Sequence, residues 1–274
     1  GVEIGDHRSL VVAANGDADG DARAKRAGVA GHLELVRGIA LDGEIAARVG
    51  LTGIPVAAET IALATLLQLA RETGVRLHVT RISSAAGLDM ITAARAAGIA
   101  VTCDTAVHYL HLCDHDIGYF NPHARLDPPL RAQRDRDALR NGLASGAITA
   151  VCSDHTPVDD DGKQKPFSEA EIGATGLELL LPLTLKWAQE MQVPLLTALA
   201  RITSDPARIM GVAAGRLDIG LPADICVFDP TADFHVTRNN LKSQGKNTPL
   251  LGLTLPGRVR YTLIDGHLAY DGTS

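Results

Sequence analysis

One stretch decides the fold of this chain: Ile148-Thr149-Ala150-Val151-Cys152-Ser153-Asp154-His155-Thr156-Pro157. Its apolar first half predicts a strand buried on both faces, and the strand must end before Pro157, which cannot donate to a sheet ladder. A carboxylate and an imidazole therefore follow the carboxyl end of a buried strand, where a parallel barrel keeps its chemistry. On the local pattern alone, Asp154 suits the cap of a turn or helix equally well.

The segments before this strand alternate between helical and extended patterns. Helices are predicted at residues 42–49, 57–73, 85–97 and 135–145, and strands at residues 10–14, 76–82, 99–104 and 147–153. This α/β alternation with short connections is typical of a parallel sheet with right-handed crossovers, in a barrel or a doubly wound sheet. A nucleotide-binding fold is disfavoured because no Gly-rich phosphate loop follows any of these strands.

The pattern changes near residue 213. Three apolar helical segments precede this point, and short strands separated by Gly, Pro and Asp turns follow it. We therefore divide the chain into a barrel portion, residues 1–212, and a C-terminal antiparallel β segment, residues 213–274.

Composition excludes several classes of function. The 274 residues carry a net charge of -6 and contain no Lys/Arg-rich run, and aromatic residues make up only 3%, so nucleic acid is not an expected partner. The longest apolar runs are too short to span a bilayer. The four cysteines form no CxxC pair, which suits a reducing cytoplasm, and we expect a cytoplasmic protein with no membrane partner.

Six side chains that could carry chemistry lie near the ends of predicted strands. They are Asp17, His78, His108, His111, Asp154 and His155. Histidine and aspartate on different strand ends can converge on a metal ion, and zinc lowers the pKa of a bound water to about 7. A neighbouring aspartate can then carry the proton to a leaving nitrogen. No HExxH, His-x-His or GxSxG motif occurs, and a cysteine–histidine nucleophile stays open as an alternative.

Several motifs follow one another in a fixed order. They are Gly50-Leu51-Thr52-Gly53-Ile54-Pro55 with Ala58-Glu59, Arg76-Leu77-His78-Val79 with Ile82-Ser83-Ser84-Ala85, Val101-Thr102-Cys103-Asp104 with His108, Pro128-Pro129-Leu130-Arg131, Ser153-Asp154-His155-Thr156-Pro157, Gly176-Leu177-Glu178, Asp205-Pro206-Ala207, Gly220-Leu221-Pro222-Ala223-Asp224 and Lys246-Asn247-Thr248-Pro249. With them the chain resembles the dihydroorotase branch of the amidohydrolase superfamily, from about residue 42 to the C-terminus.

The resemblance implies an amidohydrolase-type (β/α)8 barrel with a small β-sandwich built from both chain ends. It implies zinc and the reversible ring closure of carbamoyl-aspartate to dihydroorotate, a step of pyrimidine synthesis. Asp154 matches the metal-bound catalytic base, His108 a zinc ligand, and Asp17 a carboxylate ligand. The substrate-binding positions it implies are Asp127, Arg131 and His155.

The chain departs from the family pattern at several positions. Arg81 stands where the family has a histidine ligand, and a guanidinium has no lone pair to give to zinc. Asp127 replaces an asparagine, Val158 replaces a second histidine, and the His-x-His pair of the first strand is missing. We expect Arg81 to pair with Asp154 or Asp17 instead. The barrel is expected to be N-terminally incomplete here, because a whole barrel takes about 250 residues.

Three hypotheses follow. In the first, the chain has lost its own chemistry and acts as a structural partner of the aspartate carbamoyltransferase catalytic chain, in an oligomer. In the second, it is an active zinc dihydroorotase whose His-x-His pair lies upstream of Gly1. In the third, it is another cyclic-amide hydrolase, related to allantoinase or hydantoinase.

Overall fold

The computed structural model describes residues 12–15 and 38–272 of the chain. Its main sheet has four strands in the order β1, β4, β5, β6, where β1 is Val12–Asn15, β4 is Arg76–Val79, β5 is Val101–Ala106 and β6 is Ala150–Cys152. A second, two-stranded parallel sheet joins β2, Ala40–Leu41, to β3, Gly53–Ile54. Strands β4, β5 and β6 run parallel, as the alternating pattern predicts.

In the described part of the chain, four helices precede β6: α1 at Glu44–Val49, α2 at Ala57–Thr73, α3 at Ala85–Ala96 and α4 at Gln133–Ser145. Their ends follow from local chemistry. The Ser84 hydroxyl accepts a hydrogen bond from the Gly87 amide at 3.0 Å and so caps the first turn of α3. Helix α2 ends at Gly74, whose φ of 68° is left-handed and suits glycine.

Strand β1 differs from the expected parallel sheet. It pairs antiparallel with β4, from Val12 opposite Val79 to Asn15 opposite Arg76. The crossover rule fixes the relative direction of two strands only when a helix connects them directly, and other elements separate β1 from β4. An edge strand can therefore pair in either direction.

Three short 3-10 turns follow β5, at Val107–Leu110, Asp114–Ile117 and Pro122–Ala124. After β6 come the helices α5 at Asp160–Lys163, α6 at Leu180–Glu190, α7 at Leu195–Ala200 and α8 at Ser204–Met210. Within the described part of the chain, no helix is long and apolar enough to cross a membrane.

The C-terminal segment forms one antiparallel sheet in the order β7, β8, β9, with strands Ile225–His235, Thr254–Ile264 and His267–Asp271. Val236 and Leu255 are buried in the main hydrophobic core together with Leu183 and Trp187 of α6. The domain boundary after residue 212 stays a prediction, because one core includes residues from both sides of it.

Candidate active site

The candidate site lies where the carboxyl ends of β4, β5 and β6 meet. Arg81 follows β4, Asp104 lies in β5, and Asp154 follows β6. Arg81 and Asp154 have φ angles of 58° and 43°, a left-handed conformation that non-glycine residues rarely adopt. Such backbone conformations cluster at functional sites, where the surrounding structure enforces them.

Of the two predicted partners of Arg81, Asp154 is confirmed, and Asp17 lies outside the described residues. Arg81 Nη1 donates to Asp154 Oδ1 at 3.2 Å and to the backbone carbonyl of Asp127 at 3.0 Å. Burial raises the pKa of Asp154, the guanidinium of Arg81 opposes this shift, and the carboxylates of Asp104 and Asp127 add to it. Burial by itself would lower the pKa of Arg81, but the neighbouring groups, led by Asp154, raise it, so this guanidinium stays charged.

Asp104 holds this corner of the site together, a role that its place in the sequence motif does not reveal. Its Oδ1 accepts from the backbone amide of Arg81 at 2.8 Å, and its Oδ2 lies 2.9 Å from His78 Nε2. The other nitrogen of His78, Nδ1, lies 2.9 Å from Thr102 Oγ1. The sequence signal for this residue is the carboxylate that ends the motif Val101-Thr102-Cys103-Asp104.

His108 lies in the 3-10 turn after β5 and is fully buried. Neither of its ring nitrogens has a hydrogen-bond partner in the part of the chain that the structure describes. Burial lowers the pKa of His108 to about 4, so its imidazole is neutral at pH 7. Gly176 lies directly beside the ring, since a Cβ there would come within 2.9 Å of His108 Cε1.

His155 binds the backbone of the loop that precedes α6. Its Nδ1 accepts from the amides of Gly176 and Leu177 at 3.2 and 3.1 Å. The geometry therefore assigns the proton of a neutral His155 to Nε2, which lies 3.5 Å from Ser243 Oγ. His155 stays a prediction as a substrate-binding residue.

Arg131 lies in a buried network instead of an open cleft, and 4% of it is exposed. Its Nε donates to Ser83 Oγ at 3.0 Å, and its Nη1 donates to the Ile54 carbonyl at 3.2 Å. Ser83 and Ser84 in turn donate to the two carboxylate oxygens of buried Glu59. A substrate-binding role for Arg131 stays a prediction, and the network connects it to the residues that follow Arg81.

The loop after Asp154 is held by Asn247, a second residue whose role the sequence did not reveal. Its Oδ1 accepts from the Val158 amide at 2.9 Å and from Thr175 Oγ1 at 3.0 Å. Its Nδ2 donates to the carbonyls of Thr156 and Gly173 at 2.9 and 3.1 Å. Val158, which stands where the family has a histidine, is buried in this clamp.

Whether the site could bind zinc depends on the side chains that could act as metal ligands. Asp17, a predicted ligand, lies outside the described residues. Among residues 12–15 and 38–272, no group of three or more His, Cys, Asp or Glu side chains could hold a metal ion. Asp154 is bonded to a guanidinium, and His108 is the predicted ligand whose nitrogens have no described partner. These residues by themselves do not fit a zinc site.

The profile of the Amidohydrolase family matches residues 14–269. The chain belongs to the amidohydrolase family. The chain is 43% identical to the dihydroorotase-like protein of Pseudomonas aeruginosa over 235 residues, which are 86% of this chain and 55% of that protein. It is 38% identical to the dihydroorotase of Geobacter sp. (strain M21) over 239 residues, 87% of this chain and 56% of that one. The resemblance to the dihydroorotase branch is confirmed, and the chain spans about half the length of these relatives.

Solved structures share the fold of this chain. The L-hydantoinase (dihydropyrimidinase) of Arthrobacter aurescens aligns with a TM-score of 0.74 and 28% identity, over 80% of this chain and 50% of that one. The inactive dihydroorotase-like domain of the Chaetomium thermophilum CAD-like multifunctional protein aligns with a TM-score of 0.57 and 23% identity, over 76% and 55% of the two chains. The second likeness concerns the fold alone. The predicted amidohydrolase-type fold class is confirmed.

Proposed function

We propose that this member of the amidohydrolase family is a dihydroorotase-like protein of pyrimidine biosynthesis whose own ring-closing chemistry is impaired, and that it serves as a structural partner of the aspartate carbamoyltransferase catalytic chain. The observation that carries the proposal is the 3.2 Å contact between Arg81 Nη1 and Asp154 Oδ1. The similarity to relatives named dihydroorotase and dihydroorotase-like protein supports the choice of pathway.

The contact matters because of what a catalytic base must do. As a catalytic base, Asp154 would have to accept a proton and deliver it to the amide nitrogen of the ring, and a bound zinc ion would supply the activation of water for this chemistry. A fixed guanidinium occupies one of its oxygens and favours the ionised form. A dication about 4 Å from that guanidinium would be repelled by roughly 8 kcal/mol at an effective dielectric constant of about 20. This repulsion opposes metal binding beside Asp154 and therefore disfavours metal-assisted hydrolysis.

The partnership is inferred from the family resemblance and from the surface. Leu196, Leu217 and Ile219 are large apolar side chains that stand exposed. Exposed apolar side chains, when they form a contiguous patch, mark interaction surfaces. A chain without activity of its own would be retained for such contacts.

The zinc content and the rate of dihydroorotate hydrolysis test whether the chemistry of the site is impaired. Purified protein should hold much less than one zinc per chain and should hydrolyse dihydroorotate no faster than buffer. The double variant Arg81→His with Val158→His places a histidine at the two positions where the family has one. The double variant Arg81→Met with Val158→Met is the matched control, because it changes the same two positions without adding an imidazole. Zinc-dependent hydrolysis by the unaltered protein, abolished by Asp154→Asn, would refute the impairment.

Co-purification tests the proposed partnership with the aspartate carbamoyltransferase catalytic chain. Co-expressed with the aspartate carbamoyltransferase catalytic chain of the same organism, the protein should elute with it as one complex in size-exclusion chromatography. Arg81→Met should elute in the same complex, because the proposed partnership does not depend on the chemistry of the site. Separate elution of the two proteins at micromolar concentration would refute the partnership.

One observation favours an active zinc dihydroorotase as the alternative. His108 is fully buried, and its two ring nitrogens have no hydrogen-bond partner among the described residues, as expected of a metal ligand in the absence of its ion. In that case Asp154, His108 and Asp17 would hold zinc. The likeness to L-hydantoinase favours, as a second alternative, the opening of another cyclic amide. Hydantoin and allantoin therefore belong in the same assay as dihydroorotate.

A further inference from the structure

Two carboxylates and one backbone carbonyl accept hydrogen bonds from Arg81. Asp104 accepts from its backbone amide, Asp154 accepts from its guanidinium, and the backbone carbonyl of Asp127 accepts from the same Nη1. The carboxylates of Asp104 and Asp127 both disfavour ionisation of Asp154, so they lie close enough to repel it. Without a cation, this corner of the site would hold mutually repelling charges in a largely buried setting.

We propose that the guanidinium of Arg81 is a built-in cation that takes over the neutralising and tethering work for which metal-dependent amidohydrolases use a metal ion. It neutralises Asp154, and it ties the carboxyl end of β6 to the loop at Asp127. The inference concerns the same site as the proposed function. Its test is read from stability instead of turnover, so that either proposal can fail without the other.

The backbone supports this assignment. Asp104 fixes the Arg81 amide at 2.8 Å, and residue 81 is held in a left-handed conformation. The next residue is anchored as well, since the Ile82 amide donates to the Asp104 carbonyl and its own carbonyl accepts from Thr105 Oγ1. Ser83 then holds Arg131 at 3.0 Å. The segment 81–83 therefore connects β5 to both ends of the loop 127–131.

The position of the cation is partly shielded from solvent. The side chain of Arg81 is 29% exposed and that of Asp154 is 14% exposed. Screening by water and salt is therefore weaker than for a surface pair, and removing one partner leaves the other charge uncompensated. The pair between Arg260 and Asp229 has nearly the same length, 3.3 Å, with side chains 36% and 37% exposed. It serves as a matched control on the surface.

Thermal unfolding of the intact protein tests the inference. Arg81→Met should lower the unfolding midpoint by roughly 5 °C or more, whereas Arg260→Met should change it by less than about 2 °C. Arg81→Lys keeps the charge and should recover at least half of the loss. Dialysis of the unaltered protein against EDTA, or addition of zinc chloride, should leave its midpoint unchanged.

A second variant keeps the inference falsifiable if Arg81→Met unfolds. Asp154→Asn removes one repelling carboxylate, so the double variant with Arg81→Met should be more stable than Arg81→Met alone. Hydrogen exchange at residues 125–131 should rise in Arg81→Met and stay unchanged in Arg260→Met. The inference is overturned if EDTA lowers the midpoint of the unaltered protein, if Arg81→Lys is no better than Arg81→Met, or if Asp154→Asn makes Arg81→Met worse.

Discussion

At the scale of single residues, the site depends on side chains held in unusual places. Arg81 and Asp154 each adopt a left-handed backbone conformation at a cost of order 1 kcal/mol or more. The hydrogen bond from the Arg81 amide to Asp104 and the contact between the two side chains offset part of that cost. The buried pocket of His108 depends in the same way on a neighbour with no side chain.

Gly176 makes the closest approach in the site. A Cβ at this position would lie 2.0 Å from the Ser153 carbonyl oxygen and 2.9 Å from His108 Cε1. We expect Gly176→Ala to reduce the free energy of unfolding by at least about 2 kcal/mol, because backbone cannot yield as a flexible side chain does. Urea denaturation measures this. Gly43→Ala, where the nearest atoms lie 4.0 Å away, is the control, and an equal loss in both variants would contradict the prediction.

Asn247 binds two loops through four hydrogen bonds of its side chain. We expect Asn247→Ala to cost roughly 3 kcal/mol, because it leaves buried backbone groups without partners. Asn240→Ala removes one bond, to the His235 carbonyl, from an exposed side chain and should cost well under 1 kcal/mol. Urea midpoints of the two variants measure both losses of stability. A small loss in Asn247→Ala would contradict the prediction and would mean that water replaces the hydrogen bonds of the Asn247 side chain.

At the scale of elements, the 3-10 turn Val107–Leu110 joins the site to helix α6. It carries His108 and Tyr109, and the Tyr109 hydroxyl donates to the Pro128 carbonyl at 2.6 Å. Just after the turn, His111 Nε2 lies 2.9 Å from the Leu183 carbonyl of α6. A histidine that donates this bond while buried must stay neutral if it is not to bring an unpaired charge into the core.

The stability of this junction should depend on pH. Burial lowers the pKa of His111 to about 4 from an ordinary 6.5, so the unfolded chain binds more protons between these values. The free energy of unfolding should therefore fall as the pH falls from 6.5 towards 4, by up to roughly 3 kcal/mol from this residue. Urea unfolding at pH 7.5, 6 and 5 measures the slope.

His111→Gln should flatten that pH dependence. Glutamine does not titrate, and its amide can still donate to the Leu183 carbonyl. The part of the slope that remains is expected from His108, whose pKa burial also lowers to about 4. His115→Gln is the control, since 67% of the His115 side chain is exposed. An unchanged slope in His111→Gln would show that this imidazole is protonated or solvated in the folded state.

At the scale of the whole molecule, one hydrophobic core extends from the parallel sheet to the C-terminal strands. Val236 and Leu255 lie in the same buried cluster as Leu183 and Trp187. Where β8 crosses α6, a Cβ at Gly257 would come within 2.3 Å of Leu185 Cδ1, so the strand and the helix are in close contact. The C-terminal sheet is therefore attached to the barrel portion by packing.

We expect the described regions to unfold in a single transition. Trp187, fully buried in the core that both regions share, reports on that core by fluorescence, and far-UV circular dichroism reports on the helices. The two midpoints in urea should coincide, and Gly257→Ala should shift both together. Two separated transitions, with Trp187 following only one of them, would show that residues 213–274 form an independent domain.

Local patterns predicted much of the fold. The predicted helix at residues 57–73 is found as Ala57–Thr73, and the strand before Asp154 is found as Ala150–Cys152. Apolar periodicity and the flanking Gly, Ser and Pro residues encode these elements locally. The antiparallel direction of β1 was not predictable, because no local signal fixes the direction of an edge strand.

The sequence by itself determined which residue types stand at the strand ends, including an arginine at a family ligand position. The tertiary structure alone decided what they contact: Arg81 reaches across 73 positions to Asp154, and Asp104 reaches back 23 positions to the Arg81 amide. It also placed Arg131 among Ser83 and Ile54 and left His108 buried beside Gly176. The physical reason is that hydrogen bonds and charge pairing act through space between strand ends, and separation along the chain does not encode them.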